Sequence, residues 1–292
     1  MLRNLGFIGL HRKKTKLSEE IDKMIGDNNN ASLEDILSEE TVIDELEGQN
    51  RYLIEFLDKE KIKQMIDYII KEPPNDASHD KGYKFPWICS KLFNLGVPDI
   101  MKYFLKTNKE LEEEKNNTDE DESNENNENL KTNEDTKKNE TVYQKEKDNK
   151  IELLDYLFSF LSSNTEPNYV LCGYFTSLIK VLLSLDQKVI LKYLYFEKKD
   201  FIRQLINHSY RQSIAEILSK IIQYDSNEDE FKVGEMALIR MEILEELFEK
   251  IDITMDTEKL DSISTLIKNL GTDEMLLNDM LNNKKIIECL ES

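Results

Sequence analysis

Residues 61–87 read KIKQMIDYIIKEPPNDASHDKGYKFPW, and the change of character within this stretch decides the fold class. Ile62, Met65, Ile66, Ile69 and Ile70 recur at i, i+3, i+4, i+7 and i+8, which places one apolar stripe along a helix. Pro73-Pro74 then stops that helix, because proline fixes φ and has no backbone N–H to donate. Pro86 suits the first turn of the next helix, where an N–H would lack an intrahelical partner anyway. Three of the five prolines and the only tryptophan stand in this one stretch. It reads as two amphipathic helices joined by a stiff, non-helical connection.

The same period returns along the rest of the chain. Leu154, Leu157, Phe158 and Leu161 repeat it, as do Leu171, Tyr174, Phe175, Leu178, Ile179 and Leu182, in a helix that Pro167 can open. Phe201, Leu205 and Ile206 follow, then Ile214, Ile217, Leu218, Ile221 and Ile222. A longer helix carries Met236, Ile239, Ile243, Leu244, Leu247, Phe248 and Ile251, and short ones near 258–268, 273–281 and 284–290 close the chain. No stretch alternates convincingly with period two, so the fold class is all-α. Many consecutive short amphipathic helices predict stacked helical hairpins, a HEAT/armadillo-like solenoid, with a compact irregular bundle as the alternative. Gly173, inside a strongly periodic stretch, predicts a close approach of a neighbouring helix that would offset glycine's cost there.

One segment breaks the pattern. Residues 106–150 are rich in Asn, Glu and Lys, and their only large apolar residues are Leu111, Leu130, Val142 and Tyr143. That is too little apolar surface to offset the entropy of ordering, so this tract reads as a disordered acidic insertion. The organisation expected is an N-terminal lead over 1–30, partly disordered, a first helical part over 31–105, the insertion, and further helical repeats over 151–292.

The 292-residue chain carries a net charge of −20, which disfavours binding to nucleic acid or to an anionic membrane surface. No apolar run is long enough to span a bilayer, and MLRNLGFIGLHRKK has the reverse order of a signal peptide. Cys89, Cys172 and Cys289 lack CxxC spacing and read as small buried hydrophobes in a reducing compartment. The location expected is the cytoplasm, and the nucleus as well.

The sequence carries none of the familiar catalytic constellations. His11, His79 and His208 show no metal-ligand spacing, and no GxxxxGK[ST], GxGxxG or GxSxG motif is present. Acidic pairs such as Glu245/Glu246 read as solvated helix faces. The chain reads as a binding protein rather than an enzyme, with no metal or cofactor.

Residues 38–105 closely resemble the start of the SAPS domain, found in regulatory subunits of protein phosphatase 6 type serine/threonine phosphatases. The resemblance rests on Gln49, Asn50, Leu53, Ile54, Phe56 and Leu57, on Glu72, Pro73, Pro74, Asp76 and Ala77, and on Tyr83, Lys84, Phe85 and Pro86. LLDYLFSFLSSNTEPNYVLCGYFTSLIKVLL, residues 153–183, and KDFIRQLINHSYRQSIAEILSKII, residues 199–222, are similar to later blocks of the same domain, with Cys172 where the family usually has Ala. The resemblance covers about residues 20–225, and family members usually extend well beyond this chain's last residue.

What the resemblance implies is a non-catalytic subunit that binds a phosphatase 6 type catalytic subunit and directs it to substrates, with no cofactor of its own. Further scaffold or substrate proteins are implied as partners. A helical-repeat adaptor for an unrelated trafficking or cytoskeletal protein is the other reading. The partner-binding residues expected are Asn50, Arg51, Glu72, Pro73, Pro74, Asp76, Tyr83, Lys84, Phe85 and Pro86. A stiff loop loses little entropy on binding, which favours recognition. Alternatively the loop only sets a hairpin angle, with Tyr83 and Trp87 packed in the core.

Overall fold

The computed structural model describes residues 18–26, 31–120, 151–162, 166–223, 235–250 and 256–291. Among these the chain is helical, with no strand. Short helices come first: α1 (Ser18–Gly26), α2 (Leu33–Ser38), α3 (Val42–Glu47) and α4 (Arg51–Phe56). The apolar stripe of the opening stretch forms α5 (Lys59–Ile70), and all five of its predicted positions are buried. Asp58 caps its N-terminus by accepting from the Lys61 N–H at 2.9 Å.

After the proline-rich connection come α6 (Phe85–Asn94), α7 (Pro98–Leu105) and α8 (Asn108–Glu120). The second half of the chain supplies α9 (Glu152–Phe158), α10 (Tyr169–Leu185), α11 (Gln187–Lys192), α12 (Lys199–Asn207) and α13 (Gln212–Ile222). The series ends with α14 (Glu235–Glu249), α15 (Thr257–Leu270), α16 (Glu274–Asn282) and α17 (Lys284–Glu291). Contacts run from helix to helix in succession: α5 on α6, both on α10, α10 on α13, and α13 on α15. Likewise α12 lies on α14, and α14 on α17. This is the stack of helical hairpins expected, and one continuous apolar core threads it from Ile21 to Ile286. No single helix among the described residues is long and apolar enough to cross a membrane.

Five expectations need correction. The first part of the tract expected to lack structure is helical: α8 occupies 108–120, while 121–150 and the first 17 residues lie outside the described residues. Thr107 and Glu110 start α8 reciprocally, the Thr107 N–H donating to the Glu110 carboxylate at 2.7 Å and the Glu110 N–H to Thr107 Oγ1 at 3.3 Å. Leu111 supplies a buried contact. A capped first turn and one apolar anchor suffice where composition alone argued against order.

Gly173 is exposed, and a Cβ placed on it would meet nothing within 4 Å, so no neighbouring helix approaches there. Pro167 stands before α10 rather than in its first turn, and the cap is Asn168. Glu245 is not a solvated face residue: it accepts from Asn283 Nδ2 at 2.7 Å and pairs with Lys285 at 3.4 Å, tying α17 to α14. Cys89 and Cys172 are buried, as expected, whereas Cys289 is half-buried, and all three are free thiols. Burial pushes the Cys172 thiol up to about 11, which keeps it protonated.

Candidate functional site

The connection after α5 is built in two halves. Lys71 closes α5, its N–H donating to Asp67 O at 3.0 Å, and Glu72, Pro73 and Pro74 run on exposed. A turn follows, the Ala77 N–H donating to Pro74 O at 2.9 Å. Asp80–Lys84 then forms a π-helical turn that continues directly into α6, with Pro86 in the first turn of that helix. The stiff loop therefore extends only to residue 79, and its second half is helix. Irregular turns of this kind recur at functional sites.

Three contacts strap the connection to α2. The Tyr68 hydroxyl donates to Glu34 Oε1 at 2.9 Å, Lys81 Nζ lies 3.7 Å from the same carboxylate, and Lys84 Nζ donates to Ser38 O at 2.9 Å. Burial, then the hydrogen bond to Glu34, raises the Tyr68 phenol far above its ordinary value. The connection is thus held at both ends and from one side, so it is preorganised.

Helical register decides which residues face outward. Tyr83 is 71% exposed and sits with its ring centroid 5.5 Å from that of His79. Trp87, one turn on, is 47% exposed, with Lys91 Nζ 5.6 Å from its ring. Neither is core packing. Phe85 points the other way: it is 4% exposed and meets Tyr68 edge-on at 5.7 Å. Pro86 is buried beside it.

Not all the residues expected at a partner surface come together. Pro73, Pro74, Tyr83 and Pro86 line one groove, with Glu72 beside it and Asp76 exposed in the same connection. Phe85 supports the groove from inside the core and presents no surface. Lys84 is half-buried, its ammonium committed to α2. Asn50 caps α4, accepting from the Leu53 N–H at 3.2 Å, and donates to Asp22 at 2.9 Å and Glu45 at 2.9 Å. It is a bracket between α1 and α3. Arg51 beside it is exposed and pairs with Glu55 at 2.8 Å, on a helix that packs on α1 and α3 rather than on the connection.

The groove has a volume of about 350 Å³, and its second wall is the N-terminus of α10. Asn168 Oδ1 accepts from the N–H groups of Val170 at 2.9 Å and Leu171 at 3.3 Å, and Tyr169 and Val170 stand outward at 67% and 55% exposure. These two exposed residues were not singled out by their place in the sequence. The Asn168 cap marks where the helix begins but not which side chains face outward, since Leu171 in the same turn is buried. Behind the double proline lies a second hollow of about 420 Å³, lined by Glu34, Asp67, Lys71 and Lys81 among others. Pro73-Pro74 and Pro86 stand between the two. The result is a proline ridge with an apolar, tyrosine-edged groove on one side and a mixed-charge hollow on the other. Exposed aromatic rings on a preorganised support are what binding hot spots use.

No family model matches the chain, and no solved structure matches it. Among curated proteins, it is 27% identical over 206 residues to serine/threonine-protein phosphatase 6 regulatory subunit 3 of Gallus gallus, covering 70% of this chain and 18% of that one. Over 206 residues it is also 21% identical to regulatory subunit 2 of Mus musculus and 22% identical to regulatory subunit 1 of Homo sapiens. The matched stretch makes up 17% and 18% of those two proteins, so the chain spans less than a fifth of its relatives' length.

Proposed function

We propose that this chain, which belongs to the SAPS family of phosphatase 6 regulatory subunits, binds a phosphatase 6 type catalytic subunit and directs it to substrates. The observation that carries the reading is the similarity to regulatory subunits 1, 2 and 3 over 70% of the chain. The names of those relatives describe regulatory subunits rather than catalytic ones, which supports a non-catalytic role. Tethering is the mechanism: it converts a chance encounter between catalytic subunit and substrate into a local event at high effective concentration.

The groove beside the proline ridge is the contact surface in this proposal. It combines the exposed Tyr83 and Val170 with a backbone already fixed by Pro73, Pro74 and the strap to α2, so binding need not order it. Further scaffold or substrate proteins would occupy other faces of the stack. The proposed site of action is the cytoplasm and the nucleus.

The test is a pull-down of the tagged chain from native extract, read by mass spectrometry. Recovery of a phosphatase 6 type catalytic subunit is expected. Recovery of trafficking or cytoskeletal proteins without any phosphatase would replace this reading with that of an unrelated adaptor.

A further inference from the structure

A larger trough lies away from the proline ridge, where α7, α8 and the junction of α10 with α11 meet. Its volume is about 880 Å³, and it is open to solvent along one side. Tyr103, Leu105, Leu111, Leu185 and Val189 give it an apolar lining. Leu185 is 46% exposed, unusual for a leucine that ends a core helix. Glu110 and Glu114 of α8 line the wall beside Lys106. Asp99 and Asp186 add carboxylates to the rim, and Lys102 adds one cation.

We propose that this trough docks a basic amphipathic helix of a partner protein. The apolar lining would take the leucine-type face of such a helix, and the α8 carboxylates would meet its cations. An extended peptide is a poorer fit, because no strand edge exists among the described residues to pair with its backbone. The open side favours a helix over an enclosed small molecule. Docking of this kind is carried by side chains spaced i, i+3, i+4 and i+7 along the bound helix. The carboxylate wall sets orientation and excludes acidic helices. The site is separate from the groove proposed for the phosphatase, and its test uses the chain alone.

A fluorescent synthetic helix of about 18 residues, five turns, with a leucine stripe and lysines elsewhere, serves as the probe. Its anisotropy on titration with the full chain is compared with that of a scrambled peptide of equal composition and of a glutamate-for-lysine peptide. The amphipathic lysine peptide is expected to bind best, and more weakly as salt is raised. Leu185→Lys and, separately, Glu114→Lys, both in the lining of the trough, should each weaken it at least tenfold. Leu281→Lys, at an exposed leucine of α16, should leave it unchanged. Absence of binding, equal binding of the scrambled or glutamate peptide, or unchanged affinity in the trough variants would overturn the proposal. If Leu185→Lys proves unfolded by circular dichroism, the glutamate variant alone decides between these outcomes.

Discussion

Tyr83 and Phe85 stand two residues apart on one helical turn and face opposite ways, so truncating each to alanine separates folding from recognition. Tyr83 is 71% exposed, leaving less than a third of its surface in contact with the chain. A tyrosine offers about 200 Å². Losing roughly 60 Å² at about 25 cal/mol per Å² costs at most ~1.5 kcal/mol of stability, less because part of that surface is polar. Phe85 is 4% exposed and packs edge-on against Tyr68, so Phe85→Ala should cost about 3–5 kcal/mol through lost burial and a cavity.

Binding should rank them in reverse. If the exposed face of Tyr83 is covered by the catalytic subunit, Tyr83→Ala should weaken association by about 2 kcal/mol, roughly thirtyfold. The assay pairs thermal melting of each variant with a dissociation constant for the purified catalytic subunit by surface-based interferometry. Val170→Asp, on the opposite wall of the groove and 55% exposed, is the second probe. Unchanged affinity for both Tyr83→Ala and Val170→Asp, with melting intact, would reduce the groove to a by-product of the helix connection. The partner surface would then have to lie elsewhere on the stack.

Other expectations follow from local geometry. Gly173→Ala should raise the melting temperature, by about 0.5–1 kcal/mol of stability, because the position is helical, exposed and unobstructed; a fall would mean the glycine has a packing role after all. Gly96→Ala should do the opposite, by about 1–2 kcal/mol, since Gly96 has φ of 63° and a Cβ there would lie 3.4 Å from Val181 Cγ1. Alkaline pH should destabilise the fold. Burial holds Tyr193 and Tyr195 protonated well above the ordinary value of 10.0, Tyr193 also donating to Asp155 and Tyr195 to Ile221 O at 2.8 Å. The unfolded chain loses those protons from about pH 10 while the folded chain keeps them, so stability present below that pH is lost as pH rises beyond it. Melting scans at pH 9 and 11 check the sign, and no fall between them would contradict the burial argument.

Much of this architecture was legible because helical period and proline are strong local signals. The stripe from Ile62 to Ile70 became α5 with every predicted position buried, and the prolines ended it where the chain chemistry requires. Readings that depended on which way a helix turns its faces were not available from periodicity alone. Tyr83 and Phe85 are both aromatic and near Pro86, yet only the π-turn register and the strap to α2 determine that one is surface and the other core. Gly173 failed as a marker of close packing for the same reason: the helix is strongly apolar, but this position falls on its exposed face. Asn50 failed differently. Its amide is used locally, capping α4 and joining Asp22 to Glu45, so a residue that marks the family can be explained by folding alone.

The acidic tract shows the opposite limit. Composition over 106–150 argued for no structure, and composition averages away the short-range signal that Thr107 and Glu110 provide. A Thr-x-x-Glu pair satisfies two helix-terminal donors at once, and Leu111 needs only one apolar neighbour to hold the first turn. The helix that results forms one wall of the trough beside α7 and α10. An acid-rich segment can therefore be a tolerated insertion by composition and still shape a binding surface, because its first turn is anchored to the stack while its carboxylates remain at the rim. Removing 107–148 tests both statements together: helical content elsewhere and melting should change little, since among the described residues of that stretch Leu111 alone is buried, whereas binding of the basic amphipathic probe should disappear. Retained probe binding would show that the apolar lining acts without its acidic wall.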